Sequence, residues 1–240
     1  MLEIKNYSFE YIKGKKIIND LSLTIKDGDI CAFVGKNGAG KTTTIKSIVG
    51  INHINEGTIL LDDLNIEKNP LEYKNKIAFI PDNPILYEHL TGIQYLNFIA
   101  DMYEVTEKNR EERIKKYGKE FELYNELGNL VSSYSHGMKQ KLVLIGALVH
   151  DPKLYILDEP FVGLDPKSSF TLKKILKEKA KEGKIIFFST HVLDVAEKLC
   201  NKIAIIKNGK LVVDGDMNKV TKDKSLEDIF MELISDDKTN

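Results

Sequence analysis

The chain has 240 residues, with a hydrophobic share of 42% and a charged share of 30%, as in typical globular proteins. Its 35 Lys and Arg residues nearly balance 36 Asp and Glu residues, so no overall basic field exists to hold a nucleic acid or an anionic membrane. No apolar run approaches the ~20 residues of a membrane-spanning helix, and the N-terminal residues lack the apolar region of a signal peptide, which argues against membrane-spanning and secreted proteins.

Short apolar runs of strand length alternate with helical patterns along most of the chain. The runs at 30–34, 76–80, 154–157, 185–188 and 203–206 are continuously apolar except for Lys76, as in strands that are buried on both faces. Strands that alternate with helices predict an α/β fold with a mainly parallel sheet. The two cysteines make no metal-binding spacing, and we expect both to be buried, reduced thiols.

Two regions depart from this pattern. Within residues 2–25, two segments alternate between apolar and polar side chains on either side of a turn at 13–15. Together with residues 57–61 they predict a small antiparallel layer at one edge. Residues 83–150 are rich in helix formers and charge, and predict an inserted helical subdomain. Near the end, residues 207–210 predict a two-residue hairpin turn, and residues 225–234 a short amphipathic helix.

A phosphate-binding loop follows the first buried run. Its glycines let backbone N–H groups converge on phosphate oxygens, and the helix that follows adds its positive N-terminal end. The lysine neutralises phosphate charge and the threonine hydroxyl can ligate Mg²⁺. The loop fits G-x-x-x-x-G-K-[ST] at every fixed position and consists of Gly35, Lys36, Asn37, Gly38, Ala39, Gly40, Lys41 and Thr42. We therefore expect the chain to bind a nucleoside triphosphate.

Two adjacent acids, Asp158 and Glu159, end the run at 154–157. Asp158 is placed to bind Mg²⁺ at the carboxyl end of a strand, where open α/β sheets bind ligands. Glu159 can deprotonate a water in line with the γ-phosphate. A solvated turn before proline is the alternative interpretation.

His191 follows the run at 185–188. It is predicted to lie at the same sheet edge as the two acids and to sense the γ-phosphate. The alternative is an ordinary hydrogen-bonded histidine.

A second helix start with bare N–H groups lies at 134–141. Ser135 is a good N-cap and Gly137 leaves backbone N–H groups uncovered, so this helix end can also bind an anion. One nucleotide cannot easily use both helix ends of one molecule if they face apart. Two copies arranged head to tail could each close the other's phosphate loop.

In their order along the chain, these motifs resemble those of the ATP-binding-cassette (ABC) ATPases, the nucleotide-binding subunits of transporters. The resemblance extends from about residue 2 to residue 215. The resemblance implies that Tyr11 stacks on adenine and that Thr43 joins the phosphate loop. It also implies that Ser135, Gly137 and Gln140 form a signature motif that engages ATP across a dimer. Asp158 and Glu159 match the family's Mg²⁺ ligand and general base, His191 matches its switch histidine, and Asp165 its dimer seam.

The sequence departs from the family pattern at two places. Asp82 stands where the family usually has a glutamine that contacts Mg²⁺ and couples to the membrane domain. An aspartate could still ligate Mg²⁺, directly or through a water. His136 occupies a signature position that is usually glycine, while Ser135 and Gly137 are kept. This variant resembles the ABC-2-type, exporter-like branch.

The resemblance implies an α/β P-loop NTPase core with an N-terminal antiparallel β layer and an inserted helical subdomain. We expect a single domain over residues 1–240, with a RecA-like core at 1–82 and 151–215, a helical subdomain at 83–150 and a short tail at 216–240. With ATP and Mg²⁺ as cofactors, it would pair with a second copy or a related subunit and power a separately encoded permease, with export the expected direction. It would lie at the cytoplasmic face of the membrane and bind no nucleic acid. The alternatives are an ABC-type ATPase that acts on nucleic acid or ribosomes, and an ATP switch without transport.

Overall fold

The computed structural model describes residues 1–235, within which the strands form two sheets. In chain order the strands are β1 (Leu2–Ile12), β2 (Lys15–Ile25), β3 (Ile30–Val34), β4 (Glu56–Leu61), β5 (Leu64–Asn65), β6 (Ile77–Ile80), β7 (Leu154–Asp158), β8 (Ile185–Thr190), β9 (Lys202–Lys207) and β10 (Lys210–Asp216). The helices are α1 (Lys41–Ile48), α2 (Pro70–Asn75), α3 (Gly92–Met102), α4 (Glu107–Glu120), α5 (His136–His150), α6 (Pro166–Lys181), α7 (Leu193–Leu199), α8 (Met217–Val220) and α9 (Leu226–Ser235).

The larger sheet has the strand order β10-β9-β3-β8-β7-β6, and it is parallel except for the β9–β10 hairpin at its edge. Strands β3, β7 and β8 are buried along their whole length, as their continuous apolar runs predict. The smaller sheet has the order β2-β1-β4-β5 and its paired strands are antiparallel. The predicted fold class, a mainly parallel sheet with an antiparallel layer, is therefore confirmed.

Strand register brings three strand ends to one edge of the larger sheet. Val34, the last residue of β3, lies opposite Thr190 of β8. Asp158, the last residue of β7, lies opposite Ser189 of β8. Because these strands are parallel, the segments that follow them all leave the sheet on the same side. The phosphate loop, the two acids and the histidine are therefore neighbours in space.

Helices α3, α4 and α5 occupy the predicted helical region, and local sequence marks where each begins. Thr91 and Gln94 form a capping box at α3, and Thr106 caps α4 by accepting the Asn109 N–H. These helices share one continuous apolar cluster with a face of the larger sheet. They therefore do not have a separate core, and the predicted boundaries at 83 and 150 stay a prediction.

The C-terminal part begins with the predicted hairpin. Its turn residues, Asn208 and Gly209, have φ of 48° and 74°, the positive values that such a turn requires. Helix α9 follows and is held at both ends: the buried Leu226 donates its N–H to Glu197 Oε2 at 3.1 Å, and Lys207 Nζ donates to the Leu233 carbonyl at 2.7 Å. Residues 236–240 of the predicted tail lie outside the described residues.

The structure of residues 1–235 can be compared with two expectations, one about the cysteines and one about membrane-spanning helices. Both cysteines, Cys31 and Cys200, are free and buried, as predicted, and burial raises the pKa of each thiol. Each helix in this part of the chain is too short or too polar to cross a membrane.

Candidate functional site

The phosphate loop joins β3 to α1, and its shape depends on glycine. A Cβ added at Gly35 would come within 2.6 Å of the Ile206 carbonyl oxygen on the neighbouring strand β9. Gly40 has φ of +111°, and a Cβ there would lie 2.4 Å from Ile18 Cδ1. Both positions therefore exclude side chains, because one lacks space and the other also lacks an allowed conformation. This keeps the backbone N–H groups of the loop accessible.

The side chain of Lys41 folds back against the start of the phosphate loop. Its ammonium donates to the carbonyls of Gly35, at 2.6 Å, and Lys36, at 3.3 Å, and the residue is buried. Burial lowers the pKa of Lys41, and the nearby Glu159 and Asp158 carboxylates only partly oppose this. A bound phosphate would supply the negative charge that favours the ammonium form. The loop thus holds a positively charged side chain next to the place where a phosphate would bind.

Asp158 ends β7 as a buried carboxylate with two hydroxyl partners. Thr42 Oγ1 donates to its Oδ2 at 3.1 Å, and Ser189 Oγ donates to its Oδ1. A hydroxyl beside a carboxylate is a set of hard oxygen donors that suits Mg²⁺. Within residues 1–235, no three His, Cys, Asp or Glu side chains form a metal cage. Mg²⁺ at this place would therefore also need oxygen atoms from a nucleotide or water.

Glu159 turns sharply out of the strand. Its backbone has φ of +49°, which non-glycine residues seldom adopt. The turn directs the carboxylate toward His191, whose Nδ1 lies 3.0 Å from Glu159 Oε1. Since Nδ1–H donates to the carboxylate, the Nε2 atom of this exposed histidine is left for another partner. The pair can therefore exchange or orient protons at the mouth of the loop.

An open cleft of about 480 Å³ lies between these groups. Asp82, exposed in the segment after β6, lies on its wall and accepts a hydrogen bond from Asn83 Nδ2 at 3.2 Å. The cleft is lined by Gly35, Lys36, Asn37, Asp82, Glu159, Val162, His191 and Phe230. The structure thus brings together residues from four separate segments of the chain, all of which the sequence analysis had assigned to one site.

Other predicted site residues lie outside the cleft lining. Tyr11 is 60% exposed and meets the edge of Phe9, with ring centroids 4.7 Å apart. Ser135 caps α5 by accepting the Met138 N–H at 3.3 Å. Gln140 is only 1% exposed, and neither polar atom of its amide has a hydrogen-bond partner among the described residues. In this conformation the Gln140 side chain is not open to a nucleotide.

The start of α5 packs against the segment that precedes α6. A Cβ added at Gly137 would lie 3.1 Å from the Gly163 carbonyl. Lys141 Nζ pairs with Asp165 Oδ2 at 2.8 Å, and Asp165 also caps α6 by accepting the Ser168 N–H at 2.8 Å. The Lys141 and Ser168 hydrogen bonds hold the pKa of Asp165 well below its usual range. The start of α5 and the predicted dimer-seam residue Asp165 are therefore in direct contact.

Two residues at the site were missed by the sequence analysis. Ser189 is fully buried and touches both acids, but a serine at the end of a strand carries no signal by itself. Phe230 of α9 lines the cleft and also a cavity of about 120 Å³ beside residues 36–39. It is about 190 residues from the loop in sequence, and only the placement of α9 brings it there.

Comparisons with known proteins identify the family of the chain. A family model described as "ABC transporter" matches residues 18–162. The ABC-type transporter ATP-binding protein EcsA of Bacillus subtilis (strain 168) is 33% identical over 242 residues, covering 99% of this chain and 98% of EcsA. The SkfA peptide export ATP-binding protein SkfE of the same organism is 38% identical over 219 residues, covering 89% of this chain and 88% of SkfE.

A solved structure described as the ATP-binding subunit of an ABC transporter superposes with a TM-score of 0.94 at 33% sequence identity. The match covers 98% of this chain and 99% of that one. The similarity therefore extends through the antiparallel layer, the helical region and the C-terminal part, and is not limited to the phosphate loop. The chain belongs to the ABC transporter family, as one of its ATP-binding and ATP-hydrolysing subunits.

Proposed function

We propose that two copies of this chain, or this chain and a related subunit, close head to tail around Mg²⁺-ATP and drive a separately encoded membrane permease. One observation carries the proposal. Asp82, Glu159, His191 and the phosphate loop share one cleft, whereas Ser135 and Gly137 lie outside its lining. The start of α5 can therefore act on the nucleotide most simply when it comes from a second subunit.

In the proposed mechanism, the loop N–H groups and Lys41 bind the β- and γ-phosphates. Thr42 and Asp158 would hold Mg²⁺, with Asp82 as a further ligand, directly or through a water. Mg²⁺ bound there would neutralise phosphate charge. The Glu159 carboxylate accepts a proton from the attacking water, while His191 holds that carboxylate through Nδ1–H and, when the imidazole is doubly protonated, also donates from Nε2 to the γ-phosphate.

The remaining assigned residues act around this centre. Tyr11 would stack on adenine with its exposed ring, and Thr43 would support the loop. Ser135 and Gly137 would contact the partner's γ-phosphate through the start of α5. Asp165 would lie at the dimer seam, where Lys141 already fixes it to the same helix. Gln140 would need a rearrangement of α5 before its amide could reach a nucleotide.

The permease would dock on an apolar surface beside Asp82. Ile85 is 98% exposed, and the half-exposed Tyr87 stacks edge-to-face on Phe98 with ring centroids 5.4 Å apart. Met102, at the end of the same helix as Phe98, is also exposed. Contiguous exposed apolar side chains are typical of protein interfaces. Ile85 follows Asp82 by three residues in the chain, so the backbone of this segment would connect the phosphate site to the partner.

Export is the direction that we propose, because SkfE, a relative at 38% identity, is named for peptide export. An alternative, action on nucleic acid or ribosomes, gains some support from a lysine-rich groove between α6 and α7. Five lysines line it beside Glu178 and Asp194. Two of the lysines pair with those acids, so the groove offers a limited positive charge. The identity of the partner decides between these functions.

The test uses Glu159→Gln, which keeps the size of the side chain but removes the base. With Mg²⁺-ATP, the purified variant should lose turnover and change from monomer to dimer mass in light scattering. Lys41→Met is the matched control that should not dimerise. Normal turnover by Glu159→Gln would refute the general-base assignment, and a variant that stays monomeric at saturating ATP would refute the head-to-tail dimer.

The same variant identifies the partner by affinity purification from detergent-solubilised cells in Mg²⁺-ATP. A multi-spanning membrane protein recovered in about equal amount supports the permease proposal. Recovery of ribosomal or DNA-associated proteins without a membrane partner would contradict it and favour the alternative.

A further inference from the structure

Ser189 connects the two acids of the site through a single hydroxyl. It lies near the end of β8, opposite Asp158 in strand register, and it is fully buried. A serine hydroxyl can donate one hydrogen bond and accept two. Ser189 Oγ donates to Asp158 Oδ1 and accepts the Glu159 backbone N–H at 3.1 Å. Its two partners are therefore consecutive residues with different predicted roles.

On one side, the hydroxyl fixes the orientation of the Asp158 carboxylate. With Oδ1 bound to Ser189, Oδ2 faces the Thr42 hydroxyl at 3.1 Å. Rotation of the carboxylate would break both contacts and leave buried polar atoms without partners. Ser189 thus holds Asp158 in the orientation that presents oxygen toward the phosphate loop.

On the other side, the serine holds the sharp turn at Glu159. The Glu159 N–H is shared between Ser189 Oγ and the Ser189 carbonyl, at 3.1 and 3.3 Å. This shared bond stabilises a backbone with φ of +49°, which would otherwise relax toward the strand conformation. The same turn brings the Glu159 carboxylate to His191 Nδ1. Without the turn, the carboxylate would leave the cleft.

We infer that Ser189 is a positioning residue for ATP hydrolysis, which holds Asp158 for the cation and Glu159 for the attacking water through one hydroxyl. The inference rests on the proposed roles of these two acids. The preceding four residues of β8 are all apolar and buried. A hydroxyl at such a depth is unfavourable unless it is hydrogen-bonded, and here both of its side-chain bonds go to the catalytic pair.

Ser189→Ala tests the inference, with Ser8→Ala as the matched control. Ser8 is a buried serine on β1 whose Oγ accepts the Asp20 N–H at 3.1 Å, so its loss removes a comparable bond away from the cleft. We expect Ser189→Ala to lower kcat about tenfold to a hundredfold, the range for loss of a hydrogen bond to a charged group. The Mg²⁺ concentration for half-maximal rate should rise several-fold.

A merely structural serine would behave differently. Ser8→Ala should lower Tm while kcat stays within about twofold of wild type, and ATP affinity measured without Mg²⁺ should be unchanged in both variants. Ser189→Thr keeps the hydroxyl and should restore most of the rate if it folds. A Ser189→Ala protein that loses thermal stability but keeps wild-type kcat and Mg²⁺ requirement would overturn the inference.

A second measurement separates this inference from the proposed function. In a Glu159→Gln background at saturating Mg²⁺, adding Ser189→Ala should not further lower the residual turnover, because both changes remove the same positioned base. A further tenfold loss would show that Ser189 acts independently of Glu159 and would overturn its positioning role there. Normal turnover by Glu159→Gln alone would instead refute the general-base assignment.

Discussion

Lys41 should be needed for nucleotide binding but not for folding. Its ammonium is buried and bonded to the Gly35 and Lys36 carbonyls. Lys41→Met would lose these charge-assisted hydrogen bonds, worth about 1.5–3 kcal/mol each. It would also remove the cost of burying an ammonium, which is several kcal/mol. Because these terms oppose each other, we expect the free energy of unfolding without ATP to change by no more than about 2 kcal/mol.

With ATP present, the same substitution should have a large effect. ATP at 100 times its dissociation constant stabilises wild type by about 2.7 kcal/mol. For a chain of this size, this raises Tm by roughly 5–10 °C. Loss of a charged hydrogen bond to phosphate would weaken binding up to about a hundredfold. The same ATP concentration would then only match the dissociation constant and add about 0.4 kcal/mol, a Tm increase of roughly 1 °C.

Differential scanning fluorimetry with and without ATP measures both effects. Lys46→Met removes the same charge from the same helix, and it should keep the full ATP-dependent increase in Tm. A Lys41→Met protein that retains the wild-type increase would refute the placement of the phosphates against this ammonium. A Lys41→Met protein that is unfolded without ATP would refute the balance of burial and hydrogen bonding.

Two further predictions concern residues outside the sequence motifs. Burial lowers the pKa of His150 to about 4, so the unfolded chain takes up a proton first as pH falls below about 6.5. The folded state should therefore lose stability between pH 6.5 and pH 4, by about 2 kcal/mol after allowance for the partial exposure of the ring. His150→Phe, which keeps the stacking on Tyr103, should remove this loss; urea unfolding at pH 5 and 7.5 tests this, and an unchanged pH dependence would contradict it. Phe230→Ala should weaken ATP binding about threefold, about 0.7 kcal/mol, because it opens the wall beside residues 36–38. Titration calorimetry measures this, with Met231→Ala, on the more exposed side of α9, as the control. Wild-type ATP affinity in both variants would contradict the prediction.

Much of the fold was predictable because its signals are local. The run at 30–34 was predicted with the bounds of β3, and the predicted hairpin at 207–210 has the two positive φ values that its Asn and Gly indicate. Strand ends were predicted less accurately: β8 continues to Thr190, two residues past the apolar run. Its last two residues are polar, and they stay in the sheet because they bond to neighbouring strands and, through Ser189, to the acids. The pattern of apolar residues in the sequence gives no signal for such bonds.

The sequence by itself determined the phosphate loop, the acidic pair and the family, because each motif is a short contiguous segment whose chemistry follows from residue type and spacing. The tertiary structure decided how these segments meet. Only strand order and register place Ser189 against Asp158 and Glu159, and only the packing of α9 brings Phe230 to the cleft. It also buried Gln140, which its motif position had assigned to the nucleotide. Contacts between distant segments depend on which surfaces pack together, and a motif does not encode that.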